Sequence, residues 1–129
     1  MSDRQLVSFI EVHLDFGVTT VDHADIYGGY ECEAAFGEAL NWHLTCVNGW
    51  KSSVNAVSRR PHVKKNVIGD YITDRNHIIK SAEQSLINLA TIILNMLLIH
   101  RPDPLIDADE VADALERLHQ SGKPVDFGV

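Results

Sequence analysis

The sequence predicts an α/β protein built on a parallel sheet. Apolar residues recur at helical spacing in four separate stretches, and short β-branched or Leu-rich runs stand between them. One of these runs, "NMLLIH", is apolar on both faces, the pattern of a parallel strand covered by helices. Helices alternating with strands call for right-handed βαβ units. The 129 residues suit a single domain, 1–129, long enough to bury a core, and 45% apolar content with mixed charge marks a folded, soluble chain.

The first helix is predicted from about Asp3 to Asp15, with Leu6, Phe9, Ile10 and Leu14 on one face and Gly17 placed for a left-handed C-cap. "GVTTVDH" follows as a short strand, given its character by β-branched residues. "YGGYECE" is a turn and a helix entry. The second helix, about Glu31 to Asn41, carries Ala35, Phe36, Ala39 and Leu40. Thr73 or Asp74 caps a third helix that presents Ile78, Ile79, Ala82, Leu86 and Leu89. "NMLLIH" is the next strand. "DADE", from Asp107 to Glu110, has the form of a capping box and opens a fourth helix through Val111, Leu115 and Leu118, which "SGKP" stops. "VDFGV" begins a last strand.

Residues 41–65 break the alternation. "NWHLTCVNGWKSSVNAVSRRPHVKK" has neither period, holds both tryptophans, and stands where a strand is required; "CVNGW" could turn as a hairpin. No strand is predicted there.

Composition narrows the function. A net charge of −7 argues against nucleic-acid or anionic-membrane partners, since both need a cationic face. The richest apolar run, "LATIILNMLLIH", is too short to span a bilayer, and the N-terminus lacks the form of a signal peptide, so a cytoplasmic chain is expected. Cys32 and Cys46 are too few for a disulfide framework and read as two reduced thiols. Cys32, His43, Cys46 and His62 are the candidate metal ligands, but their spacing matches no zinc pattern, so neither a metal nor a cofactor is expected. A peptide-binding module has no positive signal beyond exposed apolar residues.

"VTTVDHADIYGG", "EAAFGEAL" and "LLIHRPDP", in that order, resemble the aldo-keto reductases, (β/α)8 barrels that reduce carbonyls with NADPH. The resemblance implies a partial (β/α) barrel, not a closed one. The family's catalytic tetrad is an Asp, a Tyr, a Lys and a His, with the Tyr as general acid. By motif position Asp22, Tyr27 and His100 match three of the four. Without the resemblance, an Asp closing a strand often caps a turn, and a His ending a strand is usually just hydrogen-bonded. The family's Lys ends the strand that residues 41–65 should supply, and Lys51 in "GWKSS" does not stand in the family's phrase. A phenol with a pKa near 10 donates a proton poorly unless cationic or hydrogen-bonding neighbours prepare it.

A synonymous coding of residues 41–56, read one frame over, yields Leu-Ala-Pro-His-Leu-Arg-Glu-Arg-Met-Glu-Ile-Val-Ser-Lys-Cys, a family-like helix end, strand and Lys. The segment is therefore read as frame-shifted, with the family's frame restored at "NVIGDYITDR". Against the family, the chain starts inside the first helix and stops at the fifth strand, without the loops that grip NADPH; no GxGxxG or P-loop replaces them. Ile92, Ile93, Asn95 and Met96 stand where the family commonly carries acidic or aromatic residues. The expectation is a laboratory-derived barrel fragment without catalytic function, the alternative a residual NADPH-dependent oxidoreductase. It is expected to self-associate, most simply as a two-fold dimer with Ile92, Ile93 and Met96 at or near the contact.

Overall fold

A computed structural model describes residues 1–42, 51–56, 74–99 and 106–128, the 51–56 stretch as backbone. Its elements run α1 (Asp3–Asp15), β1 (Thr20–Ala24), a one-turn 3₁₀ helix (Tyr27–Gly29), α2 (Cys32–Trp42), β2 (Lys51–Ala56), α3 (Arg75–Asn88), β3 (Leu94–Ile99), α4 (Ala108–Gln120) and β4 (Pro124–Gly128). Among the described residues the sheet has four strands in the order β1-β2-β3-β4, and every pairing is parallel. It is an open section of a barrel wall, with β1 and β4 at its edges.

Side-chain chemistry at the helix ends accounts for the boundaries. Ser2 caps α1 through a full capping box with Gln5, a signal the periodicity did not reveal. Gly17, at φ +79°, takes the left-handed turn that releases the chain toward β1, which starts only at Thr20. Asp74, rather than Thr73, which lies outside the described residues, caps α3 by accepting from the His77 N–H at 3.1 Å. Asp107 caps α4 by accepting from the Asp109 and Glu110 N–H groups at 3.0 and 3.2 Å.

Sequential strand order with right-handed crossovers puts all the helices on one face of the sheet. One cluster fills that side: Ile10 from α1, Phe36, Ala39 and Leu40 from α2, Ile78, Ala82 and Leu86 from α3, Leu97 and Ile99 from β3, and Val111, Ala114, Leu115 and Leu118 from α4. Along each strand, side chains alternate between the faces. His23 packs edge-on against Phe36, and Phe127 against His119 of α4, so both point to the helix side. Asp22 and Asp126 therefore point to the other face, in one register row with Ser53 and Met96. Asp22, Met96 and Asp126 are exposed on this face, whereas Ala24 and Leu94, which alternation puts on the same face, are buried.

Four expectations need correction. Residues 41–65 do contain a strand, β2, even though Lys-Ser-Ser-Val-Asn-Ala has little β-propensity. The slot between β1 and β3 has backbone donors and acceptors on both sides, and pairing them outweighs local preference. The rest of that segment, 43–50 and 57–65, lies outside the described residues. Phe9 is not a core residue but 51% exposed, because Ile10, Leu6, Val7 and Leu14 define the inward face of α1 and Phe9 stands to one side of it. Ala35 is exposed for the same reason on α2. "NMLLIH" is only half covered: Leu97 and Ile99 are buried, while Met96 on the open face is 41% exposed. Ile92, at 91%, and Ile93, at 40%, are exposed in the turn before β3.

Candidate active site

β1 carries Asp22 to the sheet, and the 3₁₀ turn that follows begins at Tyr27. Both stand toward the C-terminal ends of the strands, the end where parallel barrels assemble their sites. Asp22 is exposed on the open face and Tyr27 is 42% exposed. Gly28 and Gly29, at φ +59° and +70°, let the chain double back within two residues, and Tyr30 follows at φ +75°.

Two polar contacts hold this turn. The Ser81 hydroxyl of α3 donates to the Asp25 carboxylate at 3.0 Å, tying the end of β1 to the third helix. Glu33, only 2% exposed, accepts from the Asn88 amide at 3.1 Å, and Asn88 in turn accepts from Gln84 at 2.8 Å. That chain of bonds joins the first turn of α2 to the last of α3. None of Asp25, Ser81, Glu33 or Asn88 was singled out by sequence. The one available signal was that Asp25 and Glu33 bracket Tyr27, and a contact more than fifty residues away leaves no local period.

His23 lies beneath Asp22 on the helix side. Burial holds its imidazole below the ordinary value, and the Asp22 carboxylate pulls it part of the way back. A neutral ring against Phe36 is a packing residue, not an acid–base group facing the open side.

By backbone register Lys51 is not in the Asp22 row. It opens β2, in register with Thr20 at the start of β1, whereas Ser53 and Asn55 stand beside Asp22 and Ala24. Lys51 is thus two residues, roughly 7 Å, below the Asp22 row and on the side away from the strand ends. His100 follows β3 directly but lies outside the described residues. Of the four expected groups, Asp22 and Tyr27 are described, in β1 and in the turn that follows it.

The residues that bring Asp22 and Tyr27 here suit a dinucleotide poorly. Residues 18–42 carry Asp22, Asp25, Glu31, Glu33 and Glu38 and no Lys or Arg, so the glycine turn and the α2 N-terminus face a phosphate with carboxylates. Among the described residues, this stretch offers a phosphate no cationic side chain, and no step through NADPH follows. Cys32 is exposed at the start of α2; His43, Cys46 and His62 lie outside the described residues. Among the described residues no three His, Cys, Asp or Glu side chains gather as a metal site, and no helix is long and apolar enough to cross a membrane.

Comparison with known proteins supplies the wider frame. The model of the aldo/keto reductase family matches residues 1–129. The oxidoreductase YdhF of Escherichia coli K12 is 67% identical over all of this chain and 43% of its own length. The uncharacterized oxidoreductase YcsN of Bacillus subtilis is 46% identical over 99% of this chain and 43% of its own. Among solved structures, a holo aldo-keto reductase from Bacillus halodurans superposes with a TM-score of 0.83 at 20% identity, over 98% of this chain and 41% of that one. The glycerol dehydrogenase of Gluconobacter oxydans superposes with a TM-score of 0.78 at 29% identity, covering 39% of its length. The chain spans less than half the length of each of these proteins.

Proposed function

Since the chain belongs to the aldo/keto reductase family, we propose that its 129 residues form a folded section of the barrel that has no carbonyl-reductase activity of its own and associates with itself. The register of β2 carries this reading. Proton donation from Tyr27 needs cationic or hydrogen-bonding neighbours, and among the described residues of β2 Ser53 and Asn55 occupy the positions beside Asp22 and Ala24. The frame-shifted origin inferred for residues 41–65 accounts for a strand of the right length with the wrong residues. The loops that grip NADPH in the family come from later strands than the ones described, so these residues alone give the cofactor no site. Orientation and proton transfer each supply orders of magnitude in rate, so losing both leaves no measurable turnover.

An NADPH-consumption assay with simple aldehydes tests this, run beside Tyr27→Phe. The expected rate equals the buffer blank for both proteins. Turnover that disappears in Tyr27→Phe would overturn the reading and favour the second one, a residual NADPH-dependent reductase. What speaks for that alternative is that Asp22 and Tyr27 persist together, exposed at the same end of the sheet.

A further inference from the structure

We propose that one buried water molecule bridges the Glu33 carboxylate of α2 and the Ser85 hydroxyl of α3. Glu33 stands in the first turn of α2 and is 2% exposed, and Ser85 lies in α3 and is fully buried. Each carries a buried oxygen, Oε1 of Glu33 and Oγ of Ser85, that makes no hydrogen bond among the described residues. Leaving such an oxygen unpaired is costly, and folded interiors nearly always supply a partner, either protein or ordered water. Ser85 does not bond back to a carbonyl one turn earlier, the usual resort of a serine inside a helix.

Asn88 brings the two oxygens together. Its amide donates to Glu33 Oε2 at 3.1 Å, and its own oxygen accepts from Gln84 at 2.8 Å. The second bond shows that the Asn88 side chain leans back over the turn that contains Gln84 and Ser85, the direction a helix gives its side chains. Ser85 and Asn88, three residues apart, are neighbours on one face of α3. The Glu33 carboxylate held by Asn88 is therefore carried to the turn that bears Ser85, with Oε1 left over. One turn further along α2, a Cβ on Gly37 would meet the Asn88 and Leu89 backbone, so the two helices approach closely here. That spacing favours a ligand as small as water, which needs two to four polar partners. The Asn88 amide and the first-turn N–H groups of α2 already offset the negative charge, so a neutral ligand suffices. The water donates to Glu33 Oε1 and accepts from the Ser85 hydroxyl. Ser81, one turn earlier on α3, donates to Asp25 at 3.0 Å. With the water, links at Ser81, Ser85 and Asn88 fasten α3 to the stretch between β1 and α2 that carries Tyr27, whether or not the chain reduces a carbonyl.

Ser85→Ala separates a bridged hydroxyl from an orphaned one by the sign of its effect. Ala has the higher helix propensity, and deleting a hydroxyl that bonds to nothing also removes a burial cost, so an orphan predicts a higher thermal midpoint. A bridging water predicts the reverse, because its loss leaves the buried Glu33 Oε1 without a partner. The midpoint of Ser85→Ala should fall by about 2–6 °C. A high-resolution crystal structure of the unmodified 129-residue chain gives the direct reading, which needs no variant to fold. It should show one ordered oxygen within about 2.7–3.2 Å of both Glu33 Oε1 and Ser85 Oγ. An unchanged or raised midpoint in Ser85→Ala would overturn the proposal. So would a direct hydrogen bond between Ser85 and Glu33, or the lack of any ordered oxygen between them, in the crystal.

Discussion

His23 couples folding to pH. Packed against Phe36, it keeps its ring neutral to a lower pH than in water, whereas in the unfolded chain it gains a proton near the ordinary value of about 6.5. Below that value the unfolded state binds more protons, so stability falls as pH drops from about 6.5 toward the folded pKa, and is fully present above it. Urea midpoints measured from pH 7.5 to 5 should decline, and His23→Gln should flatten the curve in that window. An unchanged slope would assign the acid sensitivity to the carboxylates instead. Glu33 and Asn88 raise a second point at this scale. Truncating Asn88 to Ala strands a buried carboxylate, at a cost of about 1–3 kcal/mol in chemical denaturation. Asp22 and Tyr27 could be singled out from the sequence because one short motif carries both. Glu33 and Ser81 were not, because their partners are 55 and 56 residues away along the chain.

Helix propensity and packing pull in opposite directions at Gly37. In the middle of α2, Ala would normally be favoured over Gly by roughly 1 kcal/mol. Here a Cβ would lie 2.1 Å from the Asn88 carbonyl oxygen and 2.9 Å from the Leu89 backbone, so α2 and the end of α3 touch backbone to backbone. Gly37→Ala should therefore destabilise by about 1–3 kcal/mol, read as a lower urea midpoint. A neutral or stabilising result would mean that the two helices can move apart freely. The helices themselves were readable in order and nearly in extent, since caps and apolar spacing are local. β2 was not: its residues have weak strand preference, and what makes it a strand is the pair of neighbours that need their hydrogen bonds completed.

The proposed self-association would make stability depend on concentration. The thermal midpoint should rise by about 2–8 °C for each tenfold increase in protein, as for any fold linked to association. A net charge of −7 on each copy opposes association. Added salt should therefore tighten any self-association, measured by analytical ultracentrifugation. A dissociation constant that rises with salt would instead point to attractive ion pairs across the interface.

By itself the sequence determined the class of fold, the order of its elements apart from β2, and the family. Each of these is written in short-range periods, caps and motifs. The tertiary structure alone decided that residues 51–56 complete the sheet, that Lys51 stands at the wrong end of its strand, and that Phe9, Phe16 and Phe127 remain exposed at the two edges. Those outcomes depend on what lies beside each element. Neighbours in a parallel sheet are set by crossovers that span dozens of residues, beyond the reach of any local pattern.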